Sequence, residues 1–172
     1  MGTQVKLHTI VSGGQTGVDR GALDAARDLG LKRGGWAPKG WRAEDGPIPM
    51  KYRIGLVQNG SDDYRIRTRA NVEASSGTLI LSFGDLPIKS GSMMTANVAD
   101  TLKKPCLHLR ITRSREGWWQ LPDDLLLDFL ERNQIVTLNV AGPRESREPG
   151  IQGASRIALA NALRGDGFGW NP

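Results

Sequence analysis

The stretch Leu7-His8-Thr9-Ile10-Val11-Ser12-Gly13-Gly14-Gln15-Thr16-Gly17-Val18-Asp19-Arg20 decides the architecture. Residues 7–11 are a short apolar run, and Ser12-Gly13-Gly14 closes it as a tight loop closes a buried strand. Behind the loop, apolar or small residues recur at Val18, Ala22, Ala25, Ala26 and Leu29, close to helical spacing. Gly30 then stands where a left-handed residue ends a helix. Strand, glycine loop and helix form the opening unit.

The same alternation continues downstream. Residues 64–76 are periodic and feed into the apolar run 78–83. A helix is expected over 93–103, a strand over 105–109, a helix over 123–132 with Leu125, Leu126, Phe129 and Leu130 as its stripe, a strand over 135–140 and a helix over 151–163. Continuously apolar strands alternating with helices need both faces of the sheet covered, because parallel strands are joined by crossovers. The fold class expected is α/β: a single Rossmann-like domain over residues 1–164, with a mostly parallel central sheet and helices on both faces. Residues 165–172 are expected to form a C-terminal tail. Between Lys32 and Asp63, nine glycines and prolines break any periodicity, and the segment reads as a long ordered loop with one short strand at most.

Composition narrows the function classes. The chain has 172 residues, 38% hydrophobic and 24% charged, which excludes global disorder. No run approaches the ~18 apolar residues of a membrane span and no secretory h-region is seen, so a cytoplasmic protein without membrane contact is expected. One cysteine and two histidines cannot assemble the usual Cys/His metal site, and no protein-ligated metal is expected. The net charge of +5 lies in short segments beside glycine turns and not along one helix. That pattern favours a small anionic ligand over nucleic acid.

In an open α/β sheet, ligands bind at the carboxyl ends of the strands. The first loop there, Ser12-Gly13-Gly14-Gln15-Thr16-Gly17 with Asp19 and Arg20 behind it, offers backbone N–H groups and a helix N-terminus to an anion. It is neither a Walker loop nor a full G-x-G-x-x-G, and its glycines equally suit a turn made only for packing. The second, Ser90-Gly91-Ser92 with Thr95, offers hydroxyls that bind phosphate or cap the next helix. The third is Ala141-Gly142-Pro143-Arg144-Glu145-Ser146, where the charges are either an anion contact or a solvated pair. Trp36, Lys39, Trp41 and Arg42 combine indoles with cations, suited to a heterocycle with a charged tail or to anchoring their own loop. Arg67 and Asn71 share a helix face that can point into the cleft. Because loops following parallel strands emerge on one side, Gly13, Gly14, Thr16, Gly91 and Gly142 are expected to line one cleft, with Lys39, Arg42 and Arg144 at its mouth.

Taken in order, these segments resemble the putative molybdenum carrier family, a branch of the SLOG superfamily of Rossmann-like nucleotide and ligand binders. The resemblance spans nearly the whole chain. It is carried by residues 12–20, by Gly35-Trp36 with Pro38-Lys39-Gly40 and Ala43-Glu44-Asp45-Gly46, by Arg67-Thr68 with Asn71-Val72, and by Ala141 to Ser146. The family's Gly-Gly-Thr stands here as Ser90-Gly91-Ser92, and Gly77 replaces an acidic residue. The resemblance implies a cytoplasmic homo-oligomer that binds molybdenum cofactor or a related phosphate-bearing nucleotide. Other SLOG members cleave N-glycosidic bonds with a glutamate after a Gly-Gly turn, and no Glu or Asp occurs from Ser90 to Ala99. A carrier is therefore the leading reading. The alternatives are a nucleotide-processing hydrolase using Asp19, Glu44, Asp45 or Glu145, and a nucleotide-sensing interaction module.

Overall fold

The computed structural model describes residues 7–164. The expected tail at 165–172 lies outside the described residues. In chain order the elements are β1 (Thr9–Val11), α1 (Val18–Asp28), β2 (Lys32–Ala37), a 3-10 turn (Lys39–Trp41), β3 (Arg42–Ala43), β4 (Gly46–Pro47), α2 (Met50–Arg53) and β5 (Leu56–Gln58). They continue with α3 (Tyr64–Glu73), β6 (Gly77–Ser82), α4 (Gly91–Thr101), β7 (Cys106–Arg110), β8 (Thr112–Arg113), β9 (Trp119–Gln120), α5 (Asp123–Arg132), β10 (Thr137–Ala141) and α6 (Ile151–Arg164).

Among the described residues, six strands form one sheet in the order β5-β2-β1-β10-β6-β7, and every pairing in it is parallel. The fold is thus the single Rossmann-like α/β sheet that the alternation implied. From β1 the chain moves outward through β2 to β5, then crosses back to β6 and β7. β10, the last strand, enters between β1 and β6. The Ser12 hydroxyl donates to the Val140 carbonyl at 2.8 Å and helps hold that join.

Two helical layers cover the sheet: α1 packs on α6 and α6 on α5, while α3 packs on α4. The α1–α6 contact is close because its residues are small. A Cβ on Gly21 would lie 2.0 Å from Ser155 Oγ and 2.5 Å from the Gln152 carbonyl, and Ala22, Ala25, Ala154 and Ala158 are fully buried. The main core joins Ile10, Leu79, Leu81, Leu126, Leu130, Leu138, Ile151 and Leu159. Each such side chain contributes about 1.5–3 kcal/mol by leaving water. A second cluster seats Ile48, Tyr52 and Leu56 against Leu23 of α1 and Ala37.

The region 32–63 corrects the sequence expectation, since it supplies two strands of the main sheet, β2 and β5, and a small β3–β4 hairpin. Of the two glycines that hid β2, Gly35 is required by its packing. Gly35 has φ +133°, and a Cβ there would sit 2.1 Å from the Ser12 carbonyl. The β8–β9 hairpin was likewise not expected. Other boundaries move by a few residues: α4 starts at Gly91 because the Ser90 hydroxyl accepts from Met93 N–H. β10 starts at Thr137 because Ile135 turns into the core beneath Gly77.

Candidate functional site

The sheet order reverses around β1, β10 and β6, and a narrow crevice opens at the carboxyl ends of β1 and β10. Gly13, Asp19, Arg67, Thr68, Asn71 and Thr95 line it together with residues 139–141 of β10. Its free space is about 10 Å³, room for roughly one water. Arg67 closes it. The guanidinium lies across Gly13 so closely that a Cβ there would be 1.6 Å from Arg67 Nη1, which accounts for glycine at that position. Nη1 donates to Asp19 Oδ2 at 2.9 Å, and the side chains of Arg67 and Asp19 are only 13% and 6% exposed. Gln15 N–H donates to the same carboxylate oxygen at 3.2 Å. Arg67 Nε is buried without a hydrogen-bond partner among the described residues.

A second cation meets the first. Arg144, from the loop after β10, lies 5.2 Å from the Tyr64 ring centroid, and Arg67 lies 5.8 Å from the same ring. Two guanidinium groups thus share one aromatic ring at the mouth of the crevice, while Asp19 pairs with Arg67 alone. Asn71 holds α3 in place, its amide accepting from Trp36 N–H at 2.7 Å and donating to the Trp36 carbonyl at 3.1 Å.

Beside the crevice, the loops after β1 and β10 are knotted by the β3–β4 hairpin. Glu44 at its tip accepts from the hydroxyls of Thr16 and Ser146 and, at 3.3 Å, from Ser146 N–H. Gln15 Oε1 accepts from the N–H groups of Thr16 and Glu44. Arg20 forms a forked pair with Asp45 at 2.6 and 2.8 Å, and its Nε donates to the Gly14 carbonyl. Val18 N–H, at the start of α1, donates to the Pro143 carbonyl at 3.2 Å. Arg20 N–H likewise donates to the Gln15 carbonyl at 3.3 Å, so two donors of the first turn of α1 are taken by protein acceptors.

Of the residues singled out from the sequence, the structure gathers Gly13, Asp19, Arg67, Asn71 and Thr95 around the crevice, with Arg144 nearby. Ser12, Gln15, Thr16, Gly17 and Arg20 belong to the adjoining loop knot. Other placements correct the expectation of one glycine-lined cleft. A Cβ on Gly14 would meet Ile48 and Leu56 of the second core, and one on Gly142 would meet the Leu81 carbonyl and Val18, so both face packing. Gly91 faces open space, Ser90 caps α4, and Ser92 is buried in that helix. Glu145 accepts from Gly150 and Gln152 N–H groups and holds the start of α6. Lys39 is exposed, and Arg42 pairs with Asp62 at 2.9 Å on the surface. Sequence reasoning missed Tyr64 and Asn139. Tyr64 had a signal: an aromatic opening a helix one turn before Arg67.

Burial opposes ionisation of Glu44, but the hydroxyls of Ser146 and Thr16, the Ser146 N–H and the Arg144 charge together hold its carboxyl below the usual range. Asp45 is held below its usual range chiefly by the hydrogen-bonded Arg20 guanidinium. A depressed carboxyl stabilises the fold fully above its unfolded pKa, and that stabilisation is lost as pH falls through the folded value. The double variant Glu44→Gln/Asp45→Asn is therefore expected to be less stable than wild type at neutral pH. The gap should close as pH drops below about 4. Urea denaturation across that range checks it; a gap independent of pH would show that the two carboxylates act through packing alone.

A parallel sheet with a crevice lined by the Arg67–Asp19 pair at its point of strand reversal defines a Rossmann-like α/β protein. The model of the circularly permutated YpsA SLOG family matches residues 10–163, and the chain belongs to that family. Among solved structures it is similar to a "Putative molybdenum carrier protein" from Syntrophus aciditrophicus SB. The two are 39% identical over 93% of this chain and 94% of the other, with a TM-score of 0.77. No curated protein matches. Among the described residues no helix is long and apolar enough to cross a membrane, and no three His, Cys, Asp or Glu side chains gather as a metal site.

Proposed function

We propose that this chain binds and carries a small anionic ligand, one bearing a phosphate or similar oxyanion, at the crevice between β1 and β10. The observation that supports it is the Arg67 guanidinium: buried, laid over a glycine, with Nε lacking a partner, and sharing the Tyr64 ring with Arg144. An incoming oxyanion supplies the missing acceptor for Arg67 Nε and competes with Asp19 for that guanidinium. In its present shape the crevice holds about one water, so an oxyanion enters as Arg67 lifts from Gly13, and a larger ligand places its anionic end here and its body outside.

The description of the similar structure points to a molybdenum-related ligand. The residues present suit the anionic part of such a cargo, through Arg67, Arg144 and the hydroxyls of Thr68 and Thr95, and they offer no thiolate or imidazole to a metal. Binding is favoured over turnover because the carboxylates on these loops are engaged: Asp45 with Arg20, Glu145 with α6, Glu44 with Thr16 and Ser146.

Calorimetric titration of phosphate, GTP, ADP-ribose and molybdopterin-type ligands tests the reading, beside native mass spectrometry for co-purifying ligand. Arg144→Ala is expected to weaken binding by about 1.5–3 kcal/mol, a loss that shrinks as salt rises. Unchanged affinity in both Arg67→Ala and Arg144→Ala would remove the crevice as the site.

A further inference from the structure

The Glu44 carboxylate fills a cradle that the chain builds from two loops. One of its oxygens accepts from the Thr16 hydroxyl and, at 3.3 Å, from Ser146 N–H, while the other accepts from the Ser146 hydroxyl. Thr16 follows β1 and Ser146 follows β10, so these donors converge at the carboxyl ends of two adjacent parallel strands. The Thr16 hydroxyl is itself oriented: it accepts from Glu145 N–H at 3.3 Å and keeps its proton for the carboxylate. Arg144 adds a positive charge from the loop that carries Ser146.

Converging hydroxyl and N–H donors beside a guanidinium make a receptor for an oxyanion. The cradle is open to water, since Glu44, Arg144 and Ser146 are all exposed. Its present occupant is held from behind as well. Glu44 N–H donates to Gln15 Oε1 at 2.9 Å and the neighbouring Asp45 forks to Arg20, so the β3–β4 hairpin stays pinned when the Glu44 side chain turns away. Vacating the cradle takes a change of rotamer and no movement of the hairpin. A phosphate dianion brings more charge to Arg144 and more acceptor oxygens to the donors than a carboxylate does. Against it stands the tether, which keeps Glu44 at a high effective concentration.

We propose that Thr16, Ser146 and Arg144 form a second oxyanion site, one that takes a phosphoryl group from free phosphate or a phosphate ester, and that Glu44 is its built-in competitor, filling the cradle until such a ligand displaces it. The site goes beyond the Arg67 crevice and shares only Arg144 with it.

The test follows the Ser146 backbone amide of the full chain by NMR while inorganic phosphate is titrated at constant ionic strength, with acetate as a carboxylate control. Glu44→Ala is expected to bind phosphate about tenfold or more tighter than wild type, because the tethered competitor is gone. Adding Thr16→Val/Ser146→Ala should remove that gain. Should Glu44→Ala fail to fold, Glu44→Gln, neutral and of the same shape, is expected to bind phosphate tighter than wild type by a smaller factor. Acetate should bind Glu44→Ala more weakly than phosphate does. Adenosine monophosphate binding about tenfold tighter than phosphate assigns the group to an ester, and equal affinity assigns it to free phosphate. Arg67→Lys should alter the response of the Asn139 amide, in the crevice, and leave that of Ser146 in place, so the two sites fail or stand separately. The proposal is overturned by equal phosphate affinity in wild type and both Glu44 variants, by a gain that survives Thr16→Val/Ser146→Ala, or by acetate matching phosphate.

Discussion

Gly17→Ala is expected to lower the unfolding free energy by about 3–4 kcal/mol, while Gly91→Ala leaves it within about 0.5 kcal/mol or raises it slightly. Gly17 stands at the start of α1 with φ +79°, a conformation that strains any residue with a Cβ. The added atom would also lie 2.3 Å from the Pro143 carbonyl and 2.7 Å from Glu145 N, both backbone atoms that cannot swing aside. At Gly91 nothing lies within 4 Å of the added Cβ. The two glycines look alike in sequence, each beginning a helix after a strand. Urea denaturation followed by circular dichroism separates them, and equal effects would show that the loops after β1 and β10 do not touch as described.

Arg67→Ala is expected to be as severe for a different reason. It leaves the Asp19 carboxylate, 6% exposed, with the Gln15 N–H as its remaining partner at the crevice. Breaking a buried pair from one side costs about 3–5 kcal/mol, because the surviving charge stays desolvated. Arg67→Ala/Asp19→Ala should recover part of that loss, and a double-mutant cycle measures the coupling. Arg67→Lys keeps the charge but loses the planar fork, so it should retain more stability than ligand affinity. If Arg67→Ala folds with wild-type stability, the pair does not hold the crevice closed.

The fold was legible where the physics was local and uniform. The run that became β6 is buried at every residue, and α5 spans the expected limits, 123–132, although of its expected stripe Leu126 and Leu130 are buried while Leu125 is exposed. β2 was hidden because its Gly35 is set by the approach of the Ser12 backbone at the end of β1, which no window along β2 contains. The site was legible as a set of loops but not as a set of roles. Glycine, serine and threonine after a strand read as anion donors, yet Gly142 is there for Val18 and the Leu81 carbonyl, and Thr16 for Glu44. Which carboxylate a hydroxyl meets depends on a hairpin tip about 28 residues away. Arg67 and Arg144 meet only through Tyr64, a relation between three separate positions that spacing along the chain does not encode.

The position of β10 has a consequence for how the molecule comes into being. β1 and β6 are not neighbours in the sheet, so until the final strand arrives β1-β2-β5 and β6-β7 are two unjoined ribbons. The bond that helps fasten them, Ser12 to Val140, spans 128 positions of chain. Pairings this distant are closed late and slowly, with strand edges exposed meanwhile. On a ribosome the nascent chain waits with two open edges until residue 141 has emerged. The crevice, whose floor is β10 itself, does not exist before then. A ligand held at the proposed site would meet only the completed sheet, and by favouring that state it would pull assembly forward by mass action.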